Sequence, residues 1–217
     1  FVGCHPLPVR HGMTVGELAR LFAKELDLDL KLTVVPMQGW SREHYFDQTG
    51  LPWTNPSPNM RNLNQALLYP GIGLLEYTNV SVGRGTDTPF EIFGAPWMDS
   101  QVLAKRLNSI GLQGVLFMPR SFTPTSSKFA GELCHGLTIS ITDRSKLDSL
   151  RVGFEIAIAL RDQFPRAWEG KGFSRLIGNQ KVFDAFLNGA TWQQIKQLDH
   201  RRLEAFLVRR KKYLIYD

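Results

Sequence analysis

The chain has 217 residues, 43% of them hydrophobic and 21% charged, enough apolar material for a buried core, which excludes disorder or a fibre. Its longest apolar stretch, Val152 to Leu160, is interrupted by Gly153 and Glu155 and falls far short of the ~20 residues a membrane-spanning helix needs. Of the net charge of +6, most sits at the end of the chain, where residues 201–217 hold six Lys or Arg against two acids. Leu203, Phe206 and Leu207 interleave with those charges, the pattern of the solvated side of a packed helix. Neither an aromatic RNA-binding motif nor a helix-turn-helix accompanies it, so no nucleic-acid partner is expected.

The opening residues, Phe1-Val2-Gly3-Cys4-His5-Pro6, carry neither an initiator Met nor a secretory signal, so the chain reads as starting mid-sequence and its compartment is not legible there. Cys4 and Cys134 are too few for a disulfide framework and lack the spacing of a zinc site; whether they pair is left open.

In chain order, Thr14 and Glu17 form a capping box that opens a helix over 13–26 with Leu18, Leu21, Phe22 and Leu26 on one face. Leu30, Leu32 and Val34 alternate with polar residues as a strand does. Between Met37 and Asn59, Gly and Pro residues mark a long loop that contains Trp40 and Trp53. A short helix from Asn62 to Tyr69 is expected to stop at Pro70-Gly71, with Ile72 to Tyr77 a strand and Val82–Asp87 a turn. Phe90–Phe93, Val115–Met118 and Leu137–Ile141 read as further strands, and Val102–Ile110 as a helix ended by Gly111. Leu147 to Phe164 is a long helix, capped by Asp143 or Ser145, with Leu150, Phe154 and Ile158 expected to face the strand of Leu137, Ile139 and Ile141. A second capping box, Thr191 with Gln194, opens the last helix after Gly189 ends its predecessor.

The densest polar stretch runs from Leu74 to Thr86. Glu76 follows two leucines, so on a strand its carboxyl would lie among apolar neighbours, where desolvation favours the neutral acid useful in proton transfer. The alternative is a salt-bridged or surface Glu. Arg84, between Gly83 and Gly85, can grip a carboxylate through two parallel hydrogen bonds, or simply bond the carbonyls of its own turn. No Gly-Lys-Ser/Thr ending makes this a phosphate loop. His11, in Arg10-His11-Gly12-Met13, is placed either to face a site or to cap the following helix. No cluster of ligands at metal spacing is present, and no metal or other cofactor is expected. Trp40, Trp53 and Trp97 sit beside Gly or Pro, open enough to stack on a sugar ring or simply buried.

Several strings together resemble the exo-β-N-acetylmuramidase (NamZ-like) family: Pro8-Val9-Arg10-His11-Gly12-Met13-Thr14 with Gly16-Glu17-Leu18, Pro58-Asn59-Met60, Tyr69-Pro70-Gly71, Glu76–Asp87 with Pro89-Phe90-Glu91, Gly94-Ala95-Pro96-Trp97, and Tyr213-Leu214-Ile215-Tyr216. The resemblance implies a glycosidase that releases N-acetylmuramic acid from the non-reducing ends of peptidoglycan fragments in the periplasm or outside the cell. It implies an α+β fold with a mixed sheet over 41–217, preceded in 1–40 by the last β-α-β piece of a Rossmann-like domain, with the active site in the cleft between the two domains. Glu76 is then catalytic, and Arg10, His11, Asn79, Arg84 and Thr86 bind substrate, Arg84 or Arg10 meeting the lactyl carboxylate of muramic acid.

Glycoside cleavage usually takes two carboxyl groups. The family's N-terminal half supplies one from a Glu-His-Gly segment; here only Glu43-His44-Tyr45 occurs, in another context. The implied partner of these residues is thus an N-terminal domain absent from the sequence, and the 217 residues alone are expected to be inactive. The competing reading is a non-catalytic peptidoglycan-binding module, which needs the same Arg, Asn and Trp residues and no paired acid.

Overall fold

A computed structural model describes residues 5–216. The chain divides into two units, one of residues 5–52 with 197–216 and one of residues 53–196.

In the first unit, helix α1 (Val15–Glu25) starts on the expected capping box: the Glu17 amide donates to Thr14 Oγ1 at 3.3 Å and the Thr14 amide to Glu17 Oε2 at 2.8 Å. Its apolar stripe buries Leu21 against Met13 and Phe206, with Leu18, Phe22, Tyr213 and Leu214 around them. Residues 28–37 are irregular, not the strand that alternation predicts. Among the described residues no strand pairs with this segment, and Leu30, Leu32 and Val35 are exposed; alternation alone cannot make a strand without a partner to take up its hydrogen bonds. The loop that follows holds one 3-10 turn, Phe46–Thr49.

The second unit contains a three-stranded sheet. Strands β1 (Ile92–Ala95), β2 (Val115–Phe122) and β3 (Cys134–Ile141) lie in the order β1-β3-β2. β2 and β3 form a hairpin in register from Val115–Ile141 to Phe122–Cys134, and β1 joins the other edge of β3 from Ile92–Thr138 to Ala95–His135. Helix α3 (Ser100–Ser109) connects β1 to β2, which run parallel, but β3 inserts between them. Every strand pairing is therefore antiparallel, so the fold is α+β as expected but the sheet is not mixed.

Helix α2 (Leu63–Ile72) runs through Pro70 instead of stopping there, and a 3-10 turn, Gly73–Leu75, continues it where a strand was expected. The reason is tertiary. Helix α4 (Ser149–Gln163) packs on α2 and α3, and Gly71 and Gly153 touch through their backbones: a Cβ on Gly71 would lie 1.7 Å from the Ser149 carbonyl oxygen, and one on Gly153 2.3 Å from that of Gly71. Burial of Leu68, Ile72 and Leu75, one per turn, outweighs the single helical hydrogen bond that Pro70 forfeits.

The cap of α4 is Asp148, which accepts the Arg151 amide at 3.1 Å. Asp143 and Ser145, the expected caps, are instead bonded to each other in the preceding turn. Phe154 and Ile158 are buried and Leu150 is half-buried, but α4 rests on helices, not chiefly on β3 as its pattern suggested. Beyond it lie α5 (Ser174–Ile177), α6 (Gln180–Leu187) and α7 (Trp192–Arg210). Trp168, Phe173, Phe186 and Phe154 form an aromatic cluster here, with ring centroids 5.1 to 6.4 Å apart.

α7 opens on the expected Thr191–Gln194 box, the Thr191 amide donating to Gln194 Oε1 at 2.8 Å. Of the three apolar residues interleaved with its charges only Phe206 is buried, Leu203 and Leu207 being exposed. Cys134 is a buried free thiol, pushed up to about 11 by burial and the Glu132 charge; Cys4 lies outside the described residues. No described helix is long and apolar enough to cross a membrane.

Candidate functional site

Glu76 caps the 3-10 turn at the end of α2, its amide donating to the Gly73 carbonyl at 3.1 Å. Its flanks are fixed: Leu74 and Leu75 are buried, and the Thr78 hydroxyl donates to the Leu75 carbonyl at 2.8 Å. A helix end on a rigid packing contact thus replaces the strand end expected of Glu76. The side chain is 19% exposed and accepts a hydrogen bond from Arg84 Nε through Oε1.

Arg84 occupies a turn in which the Thr86 amide and hydroxyl both donate to the Gly83 carbonyl, at 3.1 and 2.6 Å. The flanking glycines do more than clear space around the guanidinium. Gly83 and Gly85 both hold φ of +80°, and a Cβ on Gly85 would lie 2.3 Å from the Ser126 carbonyl oxygen. The absence of that carbon lets the β2–β3 loop lie against the turn, where the Thr125 amide and hydroxyl donate to the Gly85 carbonyl at 2.8 and 2.9 Å. Arg84 also stands over the Phe90 ring, Cζ to centroid 5.2 Å. Phe90 is buried and itself holds φ of +65°, a strained backbone of the sort found where a side chain must be held in place.

The same loop brings in Lys128, which the sequence does not single out. Its ammonium donates to the carbonyl oxygens of Glu76, at 3.2 Å, and of Thr78. Burial lowers its pKa, while the negative charges of Glu76 and Glu169 act in the opposite direction. Lys128 therefore pins the backbone on which Glu76 sits.

Glu76, Arg84 and Thr86 share this corner, but Asn79 faces elsewhere: its amide nitrogen donates to the Ala167 carbonyl at 2.7 Å and its oxygen accepts the Glu169 amide at 2.8 Å. Both ends of the amide are thus engaged in holding residues 167–169. Arg10 and His11 belong to the first unit. Arg10 is exposed. His11 Nδ1 accepts the Met13 amide at 3.1 Å, the local bond of a structural histidine, and burial together with the Arg210 charge favours its neutral ring. Among the described residues no group of His, Cys, Asp or Glu is placed to hold a metal ion.

A cleft of about 420 Å³ opens beside the turn, lined by Thr86, Asp87 and Thr88, by Thr123, Thr125 and Ser126 of the β2–β3 loop, and by Asn59, Arg61 and Arg120. Phe122 and Ile92 form its apolar base. A Cβ on Gly94 would meet the Phe122 ring at 2.9 Å, so that glycine allows the ring to lie across the sheet. None of the three candidate tryptophans lines the cleft. Trp40 packs edge-on against Tyr216 at 4.9 Å, Trp97 against Phe164 at 5.5 Å, and Trp53 donates to the Met60 carbonyl at 3.2 Å.

Two family descriptions cover nearly every residue. The C-terminal domain of exo-beta-N-acetylmuramidase NamZ matches residues 67–216, and the N-terminal domain of the same enzyme matches residues 1–64. The chain belongs to the NamZ family. It is 45% identical over 219 residues to the peptidoglycan beta-N-acetylmuramidase NamZ of Bacillus subtilis (strain 168), an alignment that takes in 100% of this chain and 53% of the relative. The chain thus spans about half the length of that NamZ. Two crystal structures of DUF1343 family proteins from Bacteroides fragilis have the same fold. One is 28% identical with a TM-score of 0.87, over 97% of this chain and 58% of the other; the second is 29% identical with a TM-score of 0.72, over 98% and 58%.

Proposed function

We propose that this NamZ-family chain is the saccharide-handling C-terminal portion of a peptidoglycan hydrolase that releases N-acetylmuramic acid from the non-reducing ends of cell-wall fragments, with Glu76 acting at the scissile bond. The supporting observation is the Glu76–Arg84 pair: a partly exposed carboxylate with one oxygen held by a guanidinium, fixed on its backbone side by Lys128. Glycoside cleavage passes through an oxocarbenium-like state, and a carboxylate so oriented is suited to stabilise the charge that builds on the ring or to accept a proton. The second carboxyl group comes from an N-terminal portion of the full-length enzyme. In this reading residues 1–40 complete a Rossmann-like domain, and the enzyme works in the periplasm or outside the cell, where its polymer lies.

Turnover of a chromogenic N-acetylmuramic acid glycoside by the full-length enzyme tests this. Glu76→Gln should lower turnover by about 10²–10⁴-fold on any accepted sugar with an unchanged melting temperature. Residues 1–217 alone should show no turnover. Undiminished turnover in the variant removes Glu76 from the reaction. A full-length protein that binds the saccharide and never cleaves it would instead make this a binding module, a reading that the hydroxyl-lined cleft favours.

A further inference from the structure

The cleft beside the Arg84 turn has a lining whose chemistry is particular. Two guanidiniums, Arg61 and Arg120, face it with a single acid, Asp87. Asp87 lies 3.8 Å from Arg61 with a fully exposed side chain, a loose pairing that a bound anion readily replaces. The Arg120 side chain has no ion-pair or hydrogen-bond partner among the described residues. It shares its face of β2 with Phe122, two residues on, so the strand itself aims the guanidinium over the apolar base. By contrast, Arg84 is committed through Nε to Glu76 and through its face to Phe90.

The remaining lining favours a hydroxylated ligand over a bare anion. The hydroxyl hydrogens of Thr86 and Thr125 are spent on the carbonyls of Gly83 and Gly85; the Thr86 oxygen also accepts the Thr88 amide at 3.2 Å, so the acceptors left to the cleft are chiefly the Thr125 oxygen and the Asp87 carboxylate. A phosphate ion carries few donors to satisfy them, whereas a sugar carries several. Phe122 and Ile92 beneath suit the C–H face of a pyranose, and about 420 Å³ is within the range of small-molecule sites.

We infer that this cleft binds an acidic sugar and that Arg61 and Arg120 read its carboxylate, which gives Arg84 the separate task of holding Glu76. The inference deepens the functional reading above and rests on it for the identity of the sugar, since muramic acid differs from glucosamine by a carboxylate-bearing ether.

Titration calorimetry or ligand-observed NMR on the 217-residue chain tests it, with N-acetylmuramic acid, N-acetylglucosamine and inorganic phosphate as probes. N-acetylmuramic acid should bind about 10-fold or more tighter than N-acetylglucosamine, the worth of one or two charge-assisted bonds. Arg120→Gln and Arg61→Gln should each erase most of that preference, and Glu76→Gln should leave it. Arg61 Nε also donates to the Pro58 carbonyl at 3.1 Å, so Arg120, on an exposed edge strand, is the decisive position if the Arg61 variant misfolds. Equal binding of the two sugars overturns the inference, as does a preference that survives in the Arg120 variant, or competition by phosphate as strong as by N-acetylmuramic acid. Retained sugar preference without hydrolysis by the full-length enzyme would sink the proposed activity alone. Hydrolysis with a preference indifferent to Arg120 would sink this assignment alone.

Discussion

Glu17 and Glu76 are both carboxylates set against an arginine, one in each unit of the chain, and what surrounds them differs. Glu17 is 0% exposed. Its Oε1 accepts Arg42 Nη2 at 2.6 Å and the amides of Ile215 and Tyr216 at 2.8 and 3.4 Å; its Oε2 accepts the Thr14 amide at 2.8 Å and Arg42 Nη1 at 3.2 Å. Arg42 in turn donates to the carbonyls of Gly12 and Tyr216, at 2.7 and 3.0 Å. Both carboxylate oxygens and both Nη nitrogens of Arg42 are used to tie the start of α1 to the end of the chain. Glu76 has one guanidinium on one oxygen, and its other oxygen has no hydrogen-bond partner among the described residues. A carboxylate saturated with donors is a fastener, whereas one half-satisfied and partly open retains capacity for a ligand.

That contrast predicts very different costs of removal. Glu17→Ala should lower the unfolding free energy by about 3–5 kcal/mol, because it strands a half-buried guanidinium and three backbone amides. Glu76→Ala should cost no more than about 1 kcal/mol. Denaturant unfolding of the two variants measures both, and equal losses would erase the distinction.

Acid sharpens it further. Burial by itself would raise the Glu17 carboxyl, but the bonds from Arg42, Ile215 and Thr14 together hold it down to about 2, against 4.5 for the free group. A group depressed in the fold contributes its full stabilisation above pH 4.5 and loses it as pH falls toward 2. At about 1.4 kcal/mol per unit that is roughly 3 kcal/mol. Stability followed from pH 5 to pH 2 should fall steeply in the wild type and much less in Glu17→Gln. Asp143 is also held at about 2, by Lys146 and Ser145 on the surface, and its share should fade with added salt while that of Glu17 persists.

The smallest difference concerns the Glu76 corner. Gly85 and Gly111 both hold positive φ, +80° and +70°, but a Cβ on Gly111 would touch nothing within 4 Å. Gly111→Ala should cost only the backbone strain, about 1 kcal/mol, and Gly85→Ala about 2 kcal/mol or more because the β2–β3 loop must also retreat. Thermal melts of both variants check this; indistinguishable shifts would mean that the loop is not held against the turn.

Local signals were legible. Both capping boxes, the strand centres at 115–118 and 137–141, and the glycine stop after α6 follow from side chains within a few residues of each other. Glu76 and Arg84 stood out one by one, since each has a suggestive neighbourhood in sequence. Features that depend on distant partners were not legible. Continuation of α2 through Pro70 needs Gly153 opposite Gly71, and alternation over 30–34 does not reveal whether a partner strand exists. Lys128 reaches Glu76 from a loop with no periodicity, and Arg61 and Arg120 meet only because a strand and a pre-helical turn border the same cleft. A charge of opposite sign in a Thr- and Ser-rich loop was the one available hint of Lys128.

The contact between Gly71 and Gly153 bears on how firmly Glu76 is located. Side chains packed together can yield to thermal motion by hopping between rotamers, so the elements they join keep some play. Two backbones in direct contact have no χ angles through which to yield, and Glu76 follows Gly71 by little more than one helical turn. Its carboxylate is thus referenced to the N-terminal turns of α4 through main chain almost throughout, and the residual freedom at the site belongs to the last few bonds of the Glu76 side chain.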